Sequence, residues 1–502
     1  MAEAPMNAQV QAQQSPGRRS GVDADDIQGL VRFGYKHYTE AVFLLLRVRE
    51  APAARAWLAG VSVTSAVEMN PLPQYALQIA VTSEGLRALS VSADIIGGFS
   101  QEFLDGMAGD PSRARRLGDE GPSDPRYWIW GSGDRVPHCA VLLYALPGCL
   151  EARRLAVEAQ CAAGFELVQR LGTIDMGGKE PFGFTDGISQ PQLDWDLAQP
   201  ASDRTQLEYA NLSCLGEFLL GYPNEYGLYT PRPLLYPSRD ARGLLPRAAE
   251  VPDRADLGRN GSYLVIRQLR QDVAGFWRAL DRYAAGDAAE RDRLAAAMVG
   301  RTRPGQPIVD PSAATLNDFT YGADPEGIRC PLGAHIRRTN PRNADLPAGA
   351  PGILSRLIRT LGFNPSARGL DLVSSTRYHR LLRRGREYGT AMSIDEALRE
   401  TAAGTEAGLH FMCLNANLQR QFEFVQNAWI IGNRFNGLHD ESDPLLGNRR
   451  PGPGATPSDG FSMPQSDGPA RRLAAVPQFV TVTGGAYFFL PGIRALRFLA
   501  LA

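Results

Sequence analysis

The segment from Gly183 to Pro191 carries a carboxylate in a setting that could place it inside a cavity. Asp186 stands between two glycines, and a proline closes the segment. Glycine permits backbone conformations that other residues resist, and proline limits where a helix or strand can continue. The pattern therefore predicts a tight polar loop. Such a loop is more often an ordinary turn, so its chemistry depends on what the rest of the chain supplies.

Among the six histidines, His335 has the most distinctive surroundings. Small residues precede it and cations follow it in the segment Gly-Ala-His-Ile-Arg-Arg-Thr-Asn-Pro-Arg, which ends at Arg342. A haem iron with one axial imidazole needs a single histidine on a rigid support, beside room for a flat ring. Nearby arginines would suit the haem propionates, because a guanidinium matches a carboxylate. The competing interpretation is a helix-start histidine in a basic surface patch.

A third segment, residues 378–389, contains several arginines. A basic run is usually a solvated face, but this one lies between leucines and a glycine turn. Arg383, next to the pair Leu381-Leu382, is the arginine we expect to point inward. His379 is expected to be a surface or packing residue.

Asp186, His335 and Arg383 together make a peroxidase-type set. Peroxide bound to a ferric iron needs a distal base that moves a proton from the inner to the outer oxygen. It also needs a fixed cation that stabilises the charge developed as the O–O bond breaks. The charge of Arg383 would favour ionised Asp186 and keep it ready as a base.

Composition and charge exclude several other classes. The chain has 502 residues with 53 basic and 54 acidic side chains, so it has no global basic field for nucleic acid or an anionic membrane. Its six cysteines are scattered without a Cys-x-x-Cys pair, which predicts free thiols in a reducing compartment. An acidic stretch follows Arg18-Arg19 where an export signal needs an apolar core. We therefore expect a cytoplasmic protein with neither nucleic-acid nor membrane partners.

Hydrophobic periodicity predicts a mixed α+β protein whose two halves have a similar order of strands and helices. Strands are predicted at 41–48, 75–81, 138–145, 165–171, 262–269 and 409–414, with a strand pair at 478–483 and 487–490. Helices are predicted at 53–58, 83–89, 151–162, 272–285, 418–429 and 493–501, and a capping box at Ser393 predicts another. The order strand, helix, strand, strand, helix, strand resembles a ferredoxin-like unit.

The predicted fold class is α+β, with two ferredoxin-like domains, antiparallel sheets flanked by helices, and long loops. Residues 1–24 are predicted to be a disordered tail. Residues 25–195 would form the N-terminal domain, ending in the Asp186 loop, and residues 196–502 the C-terminal domain with long insertions. The Gly/Pro/Ser-rich stretch 441–468 is predicted to be a long surface loop.

Over residues 30–500 the chain resembles the dye-decolourising (DyP-type) peroxidases. The segment from Glu180 to Pro191 resembles the family's Gly-x-x-Asp-Gly signature, and Gly333 to Arg342 resembles its proximal-histidine segment. Residues 382–385 with 388–389 resemble its distal-arginine segment, and residues 408–425 and 479–489 its C-terminal strand and helix. Several motifs in the right order are more specific than any one alone.

The resemblance implies a peroxidase that uses hydrogen peroxide to oxidise dyes, phenolics or other organic donors in one-electron steps. It implies one haem b per chain, held in the second domain, with His335 as the axial ligand of the iron. Asp186 would be the distal acid/base and Arg383 the distal cation, while Arg342 and Arg337 would face the propionates. The chain is also compatible with a homo-oligomer.

One departure from the family pattern concerns Asn417. Family members often carry an aspartate there that accepts a hydrogen bond from the axial histidine, so Asn417 predicts a less anionic imidazole. Two other classes of protein stay open. A haem carrier or sensor with little turnover would use His335 but would not need Asp186 and Arg383. An iron-free protein would use the same residues only structurally.

Overall fold

One antiparallel sheet of nine strands forms the frame of the protein. The computed structural model describes residues 21–198, 211–343, 375–399, 406–451 and 456–501, so most of the predicted disordered tail lies outside the described residues. The strands of the large sheet are β1 (Glu40–Val48), β2 (Tyr75–Val81), β3 (Cys139–Ala145), β4 (Phe165–Gly172), β5 (Ser262–Gln271), β6 (Leu382–Arg383), β7 (Arg386–Gly389), β8 (Ala407–Asn415) and β11 (Val480–Leu490). A separate hairpin consists of β9 (Phe461–Met463) and β10 (Arg471–Leu473).

The sheet joins two ferredoxin-like units. The first has the strand order β2-β3-β1-β4, and the second has the order β6-β8-β5-β11 with β7 also paired to β8. The two units meet where Phe489 of β11 pairs with Val81 of β2. The predicted α+β class with antiparallel ferredoxin-like units is confirmed. The domain boundary after residue 195 stays a prediction.

Strand β1 shows why these segments form a sheet that is covered on both faces. Its side chains alternate between the two faces, as a strand requires. Leu44 and Leu46 belong to one buried cluster, whereas Phe43 and Leu45 belong to another. The continuous apolar run in the sequence is therefore the pattern of a strand buried from both sides.

Helices pack around the sheet and connect its strands. They are α1 (Ala51–Gly60), α2 (Ser83–Ala88), α3 (Ala93–Ile96), α4 (Gln101–Asp105), α5 (Pro111–Leu117), α6 (Leu150–Cys161), α7 (Val273–Tyr283), α8 (Ala288–Val299), α9 (His335–Thr339), α10 (Ile394–Leu398) and α11 (Ile493–Leu501). The predicted capping box at Ser393 is present. None of the described helices has the length and apolar character needed to cross a bilayer.

Two predicted elements take a different form. The strand pair predicted across Gly484 is one continuous strand, β11, whose register shifts between Val482 and Gly484. A Cβ atom at Gly484 would lie 2.4 Å from the indole nitrogen of Trp130, so this close contact requires glycine. The helix predicted at 418–429 is wound as a π-helix in two pieces, Gln419–Glu423 and Val425–Ile431, which we call the π segments.

The prediction that residues 441–468 form a surface loop is wrong for residues 441–448 and 458–463, which are mostly buried, and holds for the exposed residues 465–468. Ser442 and Asp443 are buried, and the segment continues into strand β9. Asp443 N donates to the carbonyl of Ile430 at 2.8 Å, which ties the stretch to the second π segment. The buried part of the stretch, which includes Pro444 and Gly447, is therefore an ordered connection.

Candidate active site

A cavity of about 270 Å³ brings together residues from distant parts of the chain. Its lining includes Asp186, His335 and Arg383. Apolar side chains from the sheet, such as Leu409 and Phe411 of β8, and from the π segments complete much of the wall. The three residues that the sequence selected for peroxidase chemistry thus share one cavity, in which carboxylate, imidazole and guanidinium groups meet an apolar lining.

The first wall of the cavity, which we call the proximal wall, is built on α9. His335 begins this helix, and its Nδ1 donates to Oδ2 of Asp443 at 2.9 Å. Oδ1 of Asp443 accepts from the backbone N–H groups of Leu445 and Leu446, each at 2.9 Å. The hydrogen bond at Nδ1 fixes the tautomer. Within the described part of the chain Nε2 has no partner, so it is the ring nitrogen left to bind a metal.

Asp443 is a buried anion that its neighbours stabilise. Burial alone would raise the pKa of its carboxyl group, but His335 and Arg338 offset this effect and hold the pKa below its ordinary value. The sequence interpretation of Asn417 is therefore wrong. Asn417 Oδ1 accepts from the backbone N–H of Arg420 at 2.8 Å, in the first π segment, and Asp443 is the residue that meets the imidazole.

Two buried arginines hold the backbone behind the proximal wall. Arg338 donates to the carbonyl oxygens of Trp429, Glu441 and Gly432, and so joins α9 to the end of the π segments. Arg449 donates to the carbonyl oxygens of Asp443 at 2.7 Å and of Pro444 at 2.6 Å. Burial lowers the pKa of each guanidinium to about 10. These contacts make the support of His335 a continuous network.

The second wall, the distal wall, consists of the Asp186 loop and β6. The backbone N–H of Asp186 donates to the carbonyl of Gly178 at 3.0 Å. Gly183 and Gly187 have φ angles of 95° and 71°, a region that favours glycine, which explains the two glycines of the motif. The Asp186 side chain is 29% exposed and its Oδ1 lies 3.4 Å from Nη1 of Arg383.

Arg383 is held more firmly than Asp186. Its backbone pairs with Cys413 of β8, and its N–H donates to Oε1 of Gln190 at 3.0 Å. Its Nη2 donates to the carbonyl of Ser189 at 3.0 Å. The guanidinium group thus contacts the Asp186 loop at Ser189 and keeps its Nη1 directed toward Asp186. The next residue, Arg384, instead donates to the backbone of the N-terminal half at Leu30.

Two arginines lie at one edge of the cavity. Arg342 donates to the carbonyl of Phe319 at 2.9 Å, and its guanidinium lies 3.8 Å from the centre of that ring. Arg301 donates to Oγ of Ser189 at 2.9 Å, and burial lowers its pKa to about 10. The sequence selected Arg342 but missed Arg301, whose position after α8 carries no motif.

Arg337 lies elsewhere, which corrects its predicted place at the propionates. Its Nη1 donates to Oδ2 of Asp324 at 3.1 Å and to the carbonyl of Cys330 at 2.7 Å. It is not among the described residues that line the cavity. An α-helix turns about 100° per residue, so two residues after His335 the side chain is on roughly the opposite face of α9.

Comparisons with known proteins agree with this geometry. No protein-family model matches the chain. A multifunctional dye peroxidase from an Amycolatopsis species is 28% identical over 453 residues, covering 84% of this chain and 81% of its own length. A dye-decolorizing peroxidase from Auricularia auricula-judae is 27% identical, covering 95% of this chain and 87% of its own. The crystal structure of a fungal DyP-type peroxidase from the same organism matches with a TM-score of 0.70 at 26% identity, covering 96% of this chain and 99% of that chain.

Over most of its length the chain is similar to dye-decolourising peroxidases. It is therefore a peroxidase enzyme, and the family implies a haem cofactor. The residues of the cavity fit such a group. His335 offers a ring nitrogen that has no partner among the described residues, apolar side chains offer a lining for a flat macrocycle, and the edge arginines suit carboxylates.

His379 lines the same cavity as a neutral packing residue. Its ring stacks on Phe424 with 3.7 Å between ring centres, and its Nδ1 contacts the carbonyl of Arg420. Burial lowers the pKa of the imidazole to about 4. The packing interpretation made from the sequence is thus confirmed, and His379 provides a histidine of the same cavity against which His335 can be tested.

Proposed function

We propose that the protein is a haem b peroxidase, with one haem per chain, that reduces hydrogen peroxide and oxidises dyes, phenolics or other organic donors in one-electron steps. The observation that supports this proposal most strongly is the shared cavity. Asp186 and Arg383 line it together with His335, whose Nε2 is free of protein partners in the described residues. When bound, haem supplies the redox chemistry, since it takes two oxidising equivalents from peroxide and passes them on singly.

His335 is the proposed axial ligand. Its Nδ1–H is committed to Asp443, so Nε2 carries the lone pair that would bind the iron. A carboxylate behind the imidazole increases the electron density of the ring and fixes its orientation. Arg338 and Arg449 hold the surrounding backbone, so the ligand cannot easily turn away from its position.

Asp186 is the proposed proton-transfer group. Its carboxylate would take the proton from the inner oxygen of hydrogen peroxide and return it to the outer oxygen, which leaves as water. Among the described residues its one side-chain contact is with Arg383, and the distance of 3.4 Å is long for a charge-assisted hydrogen bond. A weakly held carboxylate is free to exchange that contact for a peroxide proton.

Arg383 is the proposed fixed cation. The backbone N–H of Arg383 is held by Gln190 and its guanidinium group by the carbonyl of Ser189, and neither neutral partner removes the positive charge. A cation positioned in advance stabilises the negative charge that develops on the departing oxygen. Arg342 is the proposed partner of a propionate, and we add Arg301 to it because both guanidinium groups line the same cavity edge and contact Ser189.

The same residues favour an enzyme over a haem carrier or sensor. A carrier needs a ligand such as His335 and an apolar cavity, but it gains nothing from a carboxylate and a cation held beside each other. Both groups are only partly buried, at 29% and 35% exposed side chain, so they are accessible to a small polar substrate.

The test compares wild type with Asp186→Asn, both purified with haem. Hydrogen peroxide and a dye, or a simple phenol, are added and oxidation is followed by absorbance. We expect turnover in wild type and a large loss in the variant at equal haem content. A Soret band without turnover in wild type would support a carrier. Wild-type turnover that Asp186→Asn leaves unchanged would contradict the role of Asp186.

We further propose a cytoplasmic location. The six cysteines all lie in the described residues as free thiols, which suits a reducing compartment. Cell fractionation with an antibody against the protein would test this location. Gel filtration coupled to light scattering would test the expectation of a homo-oligomer.

A further inference from the structure

A second carboxylate, Glu180, lies on the Asp186 loop and lines the same cavity. Its two oxygens accept from the backbone of the turn that follows it. Oε2 accepts from the N–H of Phe182 and Oε1 accepts from the N–H of Phe184, each at 3.0 Å. The side chain therefore satisfies the backbone donors inside a turn that has no regular secondary structure to do so.

Glu180 also ties this turn to the large sheet. Nε2 of Gln271, the last residue of β5, donates to Oε2 of Glu180 at 2.8 Å. The turn is closed by its own backbone, because the N–H of Glu180 donates to the carbonyl of Phe184 at 2.9 Å. Phe182 and Phe184 are buried, so the turn is anchored by packing as well as by hydrogen bonds.

Asp186 follows this turn directly and depends on it for its position. Its backbone N–H bonds to Gly178, so the two partners of that bond flank the turn that Glu180 organises. Within the described ranges of the chain, the Asp186 side chain has only the 3.4 Å contact to Arg383. Of two carboxylates on one loop, one is bound by three N–H donors and the other is nearly free.

We propose that Glu180 is a positioning residue for Asp186: it holds the turn from 180 to 184 in one conformation, ties it to β5 through Gln271, and so fixes where the Asp186 carboxylate stands in the cavity. The inference rests on the proposed function of Asp186. A displacement of a reacting group by about 1 Å can cost roughly 100-fold in rate, so a residue that fixes a loop can matter greatly without touching substrate.

The main competing explanation is that Glu180 influences Asp186 through its charge and not through the conformation of the turn. Burial, and to a smaller extent the charge of Asp186, raise the pKa of Glu180 to about 7. Glu387 on β7 offers a matched control, because burial and the charge of Asp186 also raise its pKa. Its carboxylate lies outside the 180–184 turn. Glu387→Gln therefore removes a nearby negative charge and leaves the turn intact.

The first measurement is hydrogen exchange of the haem-loaded protein, read on peptides that cover residues 179–187. Glu180→Gln keeps the size of the side chain but replaces one acceptor oxygen with an NH₂ group, so one of the two amides loses its partner. We expect faster exchange in this peptide for Glu180→Gln and wild-type exchange for Glu387→Gln. Unchanged exchange in Glu180→Gln would overturn the proposal, whatever the activity of the enzyme.

The second measurement is the rate of reaction of the haem protein with hydrogen peroxide, in a double-mutant cycle. We expect Glu180→Gln to lower the second-order rate constant by about 10- to 100-fold, with the Soret band retained. In the Asp186→Asn background the same change should cost less than about threefold, because a residue that acts through Asp186 has nothing left to position. Glu387→Gln should remain within threefold of wild type.

Equal costs in both backgrounds would show that Glu180 acts independently of Asp186 and would overturn the proposal. If Glu180→Gln fails to bind haem, Gln271→Leu provides the second variant. It cuts the tie to β5 and leaves the two backbone amides bonded, so it should give a smaller rate loss that also disappears with Asp186→Asn. A wild-type protein whose peroxide rate is insensitive to Asp186→Asn contradicts the proposed function, and the exchange experiment then still decides whether Glu180 holds the turn.

Discussion

The two walls of the cavity are built on opposite principles. On the proximal wall, His335 bonds to Asp443, Asp443 bonds to two backbone amides, and buried arginines fix the backbone around them. On the distal wall, as far as the structure describes the chain, Asp186 has one long contact, to Arg383, and both side chains are about one-third exposed. A metal ligand benefits from a fixed orientation, whereas a proton carrier must exchange partners. The firm support of His335 and the loose support of Asp186 therefore match their proposed tasks as metal ligand and proton carrier.

The largest effect on the rate of reaction with peroxide should come from a change on the distal wall, where Asp186 is loosely held. Asp186→Asn removes the base but keeps the shape, so the rate of reaction with peroxide should fall by about 10²- to 10⁴-fold while the Soret band is retained. Stopped-flow absorbance measures this rate. Asp196→Asn, which alters an exposed carboxylate further along the chain, should leave it unchanged. Loss of haem in Asp186→Asn would mean that the distal wall also has a structural task.

Arg383→Ala should be nearly as severe, because it removes the fixed cation of the same wall. We expect a loss of about 10²- to 10³-fold in the rate of reaction with peroxide. The binding of a neutral haem ligand such as imidazole should change little. Arg384→Lys is the matched control, since that arginine bonds to the backbone of the N-terminal half. If both variants lost the same factor in the rate of reaction with peroxide, the cause would be a general disturbance around β6 and not the loss of the Arg383 charge.

A change on the proximal wall should alter haem binding and the reduction potential of the iron more than it alters proton transfer. Asp443→Asn should weaken haem binding or activity by about 10- to 100-fold. It should also raise the ferric/ferrous reduction potential, because the imidazole becomes less anionic. Spectroelectrochemistry measures that potential. Asn417→Ala is the control and should leave the potential unchanged, because the Asn417 side chain bonds to the backbone of Arg420 whereas Asp443 is the partner of His335.

The smallest effect concerns stability and follows from Glu180. Its pKa is raised from 4.5 to about 7, chiefly by burial, so the folded protein keeps a proton that the unfolded chain loses. This contribution to stability is complete below pH 4.5 and is lost as the pH rises through about 7. The unfolding free energy of wild type should therefore fall relative to Glu180→Gln by on the order of 1–3 kcal/mol between those limits. Urea titrations across this pH range measure the difference, and a pH-independent difference would contradict the shift.

Local patterns in the sequence were sufficient for the regular elements of both units. The apolar run of β1, the Asp272 cap of α7 and the capping box at Ser393 each reflect a physical rule that acts within a few residues. The distal aspartate was recognisable for the same reason, because its flanking glycines are required by the φ angles of the loop.

Contacts between residues far apart in the sequence could not be predicted from such local patterns. Asp443 reaches His335 from a glycine- and proline-rich stretch that resembles a surface loop. Arg301 reaches Ser189 from the end of α8. The need for glycine at Gly484 in β11 comes from its close contact with the indole of Trp130. Arg337 could have been excluded by helical geometry alone, because it lies on roughly the opposite face of α9 from His335.

The central claim is that His335 is the ligand that holds haem in this cavity. The most direct measurement is the absorption spectrum of His335→Ala, purified beside wild type and beside His379→Ala, a neutral histidine of the same cavity. The account predicts that the Soret band of the bound haem disappears or collapses to that of free haem in His335→Ala, and that it survives in His379→Ala. A wild-type Soret band in His335→Ala would contradict the account.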